Sequence, residues 1–266
     1  MFFMVARRKK FVPMNFLTEL SSRNYPLYLF GWICLAGAVA MLALTLTSST
    51  QVLGINAYIK PLKFFLSTTI FVWSIGWYAH YLDKPGTVTA FTWTVILTLT
   101  FELVWITFKA SQGELSHFNV SSSFNGMMFS LMGIAISIMT LFTLYLGILF
   151  FQSSYGLPPA YLWGIRLGIL CFVIFAFQGG AMGAQLSHTV GAADGGPGLP
   201  LINWSTKAGD FRVAHFVGMH ALQILPLLGY FVLTSTRGIV VCSMIYFGLC
   251  MAVFLQAMMK LPLIRL

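Results

Sequence analysis

From Phe124 to Phe151 the chain reads FNGMMFSLMGIAISIMTLFTLYLGILFF, a run without one Asp, Glu, Lys or Arg, bounded by Ser121-Ser122-Ser123 and by Gln152-Ser153-Ser154. About 20 such residues in helical form cross a hydrocarbon core of ~30 Å, so the stretch predicts a membrane-spanning helix. The same test moved along the chain marks 25–47, 61–82, 88–109, 160–182, 213–233 and 239–259 as further apolar windows. Barrel strands would alternate over about 10 residues, whereas these runs are continuously apolar and separated by turn formers such as Asp83-Lys84-Pro85-Gly86. The expectation is an all-α polytopic membrane protein, a bundle of about seven transmembrane helices with a long irregular loop before helix six.

Composition agrees. Charged residues make up 8% of the 266 positions, hydrophobic residues 58%, and the mean hydropathy is +0.85. That balance excludes a water-soluble domain. The net charge of +9 does not point to nucleic acid, because the basic residues are scattered among loops, apart from Arg7, Arg8, Lys9 and Lys10. Placed ahead of the first span, that cluster reads as a topology signal that keeps the N-terminus cytoplasmic. The chain then divides into a basic cytoplasmic segment, 1–24, and one transmembrane domain, 25–266, whose C-terminus lies outside a bacterial inner membrane after seven crossings.

With this topology the longer connections, 48–60, 110–123 and 183–212, fall on the outer side. The last carries Gly191-Ala192-Ala193-Asp194-Gly195-Gly196-Pro197-Gly198-Leu199-Pro200, which cannot continue a helix and is expected to fold back as a cap. Cys34, Cys171, Cys242 and Cys250 sit in predicted spans with no Cys-x-x-Cys pair, as packing residues would. Gly164-x-x-x-Gly168 and Gly179-x-x-x-Gly183 let a neighbouring helix approach, inside the bundle or in an oligomer.

Ionisable groups in lipid are costly and mark partners or cavities. Glu102 lies seven residues before Lys109, about 10 Å deeper at 1.5 Å per residue, where it must be protonated, paired or ligated. Lys63 or a histidine is its expected partner. His117, His188, His215 and His220 all belong to the outer half, with only His80 near the inner face. His215 and His220, five residues apart, point ~140° from each other on an ideal helix, unless Gly218 distorts it. Gln178, Gln185 and His188 form one stripe, and Gln223 extends the face of His220. Glu114 and His117 form Glu-x-x-His, a spacing that puts both groups on one helix face. Asp210 and Arg212 flank the entry of the sixth span as an interfacial salt bridge or an anion clamp. Asn119 and the serines after it read as a helix start capped by Ser122 or Ser123.

The leading expectation from sequence is a metal- or haem-dependent membrane enzyme or redox protein whose site opens to the outer face. Its catalytic candidates are Glu102, Asp210 and Arg212, and its cofactor-binding candidates are His188, His215 and His220. Zinc, copper or iron would draw on His117, His188, His215, His220, Glu102 and Glu114. Lipid and a small-molecule or lipid substrate are the expected partners, with no nucleic acid. The alternatives are a proton- or cation-coupled carrier, which needs polar access from both sides, and a non-catalytic assembly or sensor subunit that presents loop 183–212 to a partner.

Overall fold

A computed structural model describes residues 16–266; the basic cluster Arg7 to Lys10 lies outside the described residues. Nine helices follow one another among them: α1 (Phe16–Arg23), α2 (Tyr25–Thr47), α3 (Ile59–Ala79), α4 (Pro85–Ser111), α5 (Ser123–Gln152), α6 (Pro159–Ala184), α7 (Phe211–Met219), α8 (Ala221–Phe231) and α9 (Thr236–Met258). Two short antiparallel ladders complete the fold, β1 (Gln51–Val52) with β2 (Ile55–Asn56) and β3 (Thr189–Val190) with β4 (Gly209–Asp210).

Among the described residues six helical units are long and apolar enough to cross a membrane: α2, α4, α5, α6, α7 with α8 as one unit, and α9. Helix α3 has 21 residues but is not among the six, because Lys60, Lys63 and several hydroxyl side chains dilute its apolar run. Large apolar side chains crowd the exterior of the bundle. Only 17% of the most apolar window of α9 is buried in the bundle, against 61% for α6. Exposed Ile134, Ile138 and Ile148 on α5 and Met244, Ile245 and Leu249 on α9 are what a lipid solvent requires and what water would penalise.

Local chemistry explains the helix starts. Asn24 caps α2 by accepting from the Leu27 amide at 3.1 Å, while its Nδ2 donates to Thr92 Oγ1 on α4 at 2.8 Å. Ser122 caps α5 by accepting from the Asn125 amide at 3.2 Å. Helix α1 precedes the first span and was not anticipated; an Arg23–Glu19 pair at 2.8 Å closes it, and the Arg23 guanidinium lies over the Trp77 ring.

Helix α6 is the centre, packed against α5, α7, α8 and α9. A Cβ on Gly164 would come to 2.6 Å from the Leu225 carbonyl oxygen, and one on Gly168 to 2.8 Å from that of Ala221, so this pair sets a close α6–α8 approach. Sequence reads 213–233 as one helix, yet it breaks at His220 between α7 and α8. Pro226 has no amide hydrogen for the carbonyl four residues back. That carbonyl, Leu222 O, instead accepts from the buried Tyr78 hydroxyl of α3 at 3.1 Å.

All the long connections meet at one end of the bundle. The β1–β2 hairpin turns through Leu53 and Gly54, both at positive φ, as a two-residue hairpin turn demands. The β3–β4 ladder, Thr189 opposite Asp210, pins both ends of the irregular chain 191–208. Gly209 makes that possible: a Cβ there would sit 2.0 Å from the Ala257 carbonyl oxygen of α9.

Candidate ligand-binding site

A cavity of about 250 Å³ lies where the hairpin, the start of α3, the end of α4 and the two long loops converge. Its roof is the hairpin tip against the long loop: Gly195, at φ +90°, leaves room for Leu53, whose Cβ would lie 3.0 Å from a Cβ on residue 195. Its polar wall comes from Lys60 and Lys63 in the first turn of α3, His117, His188 and Arg212.

The carboxylates around this cavity are already committed. Glu114 accepts from Lys109 at 2.7 Å. Asp194 accepts from Ser187 Oγ at 2.8 Å, from the Thr189 amide at 2.9 Å and from the His188 amide at 3.2 Å. Burial opposes ionisation of Asp194, but the hydrogen bonds from Thr189 and Ser187 and the nearby His188 outweigh it and hold its pKa below the usual value. Asp210 caps α7, accepting from the Arg212 amide at 3.0 Å and from its guanidinium at 2.6 Å. Arg212 also donates to the Asn203 carbonyl.

The two lysines differ. Lys60 Nζ lies 3.2 Å from His117 Nδ1, and Lys63 Nζ donates to the Ile202 carbonyl at 3.3 Å. Among the described residues neither has a carboxylate within ion-pair distance. Helix α3 also starts without a side-chain cap, which leaves first-turn amides directed at this end and adds positive potential. Both loop histidines are held uncharged near neutrality. Burial, with Lys60 and His215 nearby, lowers His117 well below its ordinary pKa. Burial and Arg212 push His188 down to about 4, although Asp194 at 3.1 Å acts in the other direction.

Glu102 is 3% exposed and its Oε1 has no hydrogen-bond partner among the described residues. It stands one and two turns before Ile106 and Ala110, which line the cavity, and Lys60 is within its electrostatic reach. The expected partner Lys63 is instead turned to the loop carbonyl of Ile202.

Other sequence expectations separate. Glu114 and His117 do not share a helix face, because 112–122 is irregular chain and the two reach different lysines. His215 Nδ1 contacts the Phe175 carbonyl at 2.6 Å. His220 contacts its own helix at Phe216 O, 2.9 Å away, with its ring 4.2 Å from that of Phe216. The stripe from Gln178 to His188 is cut by the end of α6: Gln185 bonds the carbonyls of Ser187 and Thr189. Both amide atoms of Gln178 are buried without a partner among the described residues. Gln223 bridges α8 to Ser74 of α3 at 3.2 Å. The four cysteines are free. Among the described residues no three of His, Cys, Asp and Glu converge in a way that could hold a metal ion.

Lys60 is the residue that sequence reasoning passed over. Its signal in the sequence is two lysines at i and i+3 opening an otherwise apolar helix. Compared with known proteins, the chain matches no family model, no curated protein and no solved structure.

Proposed function

We propose that this protein is a seven-span membrane protein, α3 being the seventh span, that binds a small anionic molecule in the loop-covered cavity at its outer face. The observation that carries the reading is the pair Lys60 and Lys63, two ammonium groups beside a cavity with no carboxylate in ion-pair reach among the described residues. Partly buried charge without a counterion is unfavourable, and an anion repays it with charge-assisted hydrogen bonds. Uncharged His117 and His188 and the Asn203 and Ser205 side chains offer further hydrogen bonds without adding negative charge. The orientation follows from the basic residues 7–10 and puts the cavity on the side away from the cytoplasm in a bacterial inner membrane.

The test is calorimetric titration of the protein in lipid nanodiscs with inorganic phosphate, acetate and benzenesulfonate, on the wild type and on a Lys60→Gln, Lys63→Gln double variant. At least one anion is expected to bind the wild type, and the double variant to lose about 100-fold in affinity or more, each charge-assisted bond being worth ~1.5–3 kcal/mol. Absence of binding by all three anions, or undiminished binding by the double variant, refutes the reading.

A further inference from the structure

The walls of the cavity say more about the ligand than its charge. Alongside the lysines the cavity is lined by Phe64 of α3, Ile106 of α4, Leu115 and Phe118 of the α4–α5 loop, and Ile55 of the hairpin. The Phe64 ring is 5.6 Å from that of His117, and Phe118 packs on Phe129 at 5.6 Å, so an aromatic face borders the cationic corner. At ~30 Å³ per water molecule the 250 Å³ cavity holds about eight waters, which is more than an inorganic oxyanion fills. A bare phosphate or sulfate would satisfy Lys60 and Lys63 but leave this apolar surface wetted.

Resting on the anion-binding reading above, we infer that the ligand is a small organic anion, an oxyanion head on a compact apolar or aromatic body, the head at Lys60 and Lys63 and the body against Phe64, Ile106 and Phe118. A few directed polar groups in an otherwise apolar pocket are the usual means of holding such a molecule. The roof formed by Leu53 and Gly195, together with a cavity volume of about 250 Å³, suits a free small molecule better than a two-chain lipid. The exposed hairpin tip adds a second apolar element at the mouth: Leu53 is 47% exposed and at φ +51°, a conformation in which Asn or Gly is the ordinary choice.

The test compares two sulfonates with the same head and a charge that does not vary with pH, methanesulfonate and benzenesulfonate, titrated into the full chain in phosphatidylcholine nanodiscs, with empty discs as the partition control. A phenyl group that buries ~80 Å² of apolar surface at ~25 cal/mol per Å² gives about thirtyfold tighter binding of the aryl ligand. Phe64→Ala, and separately Ile55→Ala at the cavity edge, are expected to narrow that ratio. Equal affinity for the two sulfonates, or a ratio unchanged in both variants, overturns the organic-anion inference and leaves the anion site standing. Failure of both sulfonates to bind the wild type overturns this inference, and the anion reading falls with it only where phosphate and acetate also fail to bind. Displacement of benzenesulfonate when phosphatidylglycerol is included in the discs assigns the site to a lipid headgroup and overturns the free-ligand inference.

Discussion

Replacing Tyr78 by Phe removes one oxygen from the interior of the bundle. Its hydroxyl donates to the Leu222 carbonyl at 3.1 Å, an acceptor without its helical partner because Pro226 lacks the amide hydrogen. Tyr78 is 6% exposed, and with Gly168 closing one side of α8 at Ala221 and Leu222 little space remains for water to substitute. A buried carbonyl left unpaired costs ~1–3 kcal/mol in general, and interhelical hydrogen bonds in lipid average about 0.6 with a maximum near 1.7, so the loss should be ~1 kcal/mol. The decisive assay is a double-mutant cycle with Pro226→Ala, read as unfolding free energy in mixed micelles of increasing SDS fraction. Alanine at 226 restores an amide that can bond Leu222 O, so Tyr78→Phe should then cost a few tenths of a kcal/mol. An equal cost in both backgrounds would refute the account of α8 as a helix whose missing bond is supplied from α3.

Two further outcomes are expected. Gly164→Val should destabilise the bundle by ~1–3 kcal/mol through overpacking, because its Cβ would meet the Leu225 carbonyl oxygen at 2.6 Å and the Pro226 Cα at 2.8 Å; unfolding in SDS measures it, and a neutral effect would contradict the close α6–α8 crossing. Acidification should also destabilise the fold. His188 has a folded pKa of about 4 against an ordinary 6.5, and His117 is shifted the same way. Between those limits the unfolded chain therefore binds more protons, and stability present above about pH 6.5 is lost as pH falls toward 4, by at most ~1.4 kcal/mol per pH unit for each histidine. Unfolding titrations on wild type and His188→Gln check this: the variant should show a shallower slope, and identical slopes would show that His188 titrates in the folded state as it does in the unfolded chain.

The solvent and most of the helices were legible in the sequence, though not α1 or the break at His220. Uninterrupted apolar runs such as 124–151 can satisfy their backbone in lipid only as helices. Ser122 and Asn24 mark helix starts because their side chains accept from the following turn, and Gly164 with Gly168 marks a close helix contact because no side chain stands in the way. These signals are local along the chain. The site was legible only as a list of polar residues at one end.

Which of them meet was decided by tertiary structure. Successive helix residues are turned about 100° apart, so the rotation of each helix settles whether Glu102 faces Lys60 or Lys63, and hydropathy carries no information on that rotation when a helix is apolar all round. The break at His220 turns His215 to Phe175 and leaves His220 against Phe216. The path of loop 183–212, fixed by a ladder between residues 21 positions apart, brings Asp194 to His188 and Ile202 to Lys63. That left Lys60 and Lys63 beside the cavity with no carboxylate in ion-pair reach among the described residues, an arrangement produced by long-range packing that no spacing within the chain records.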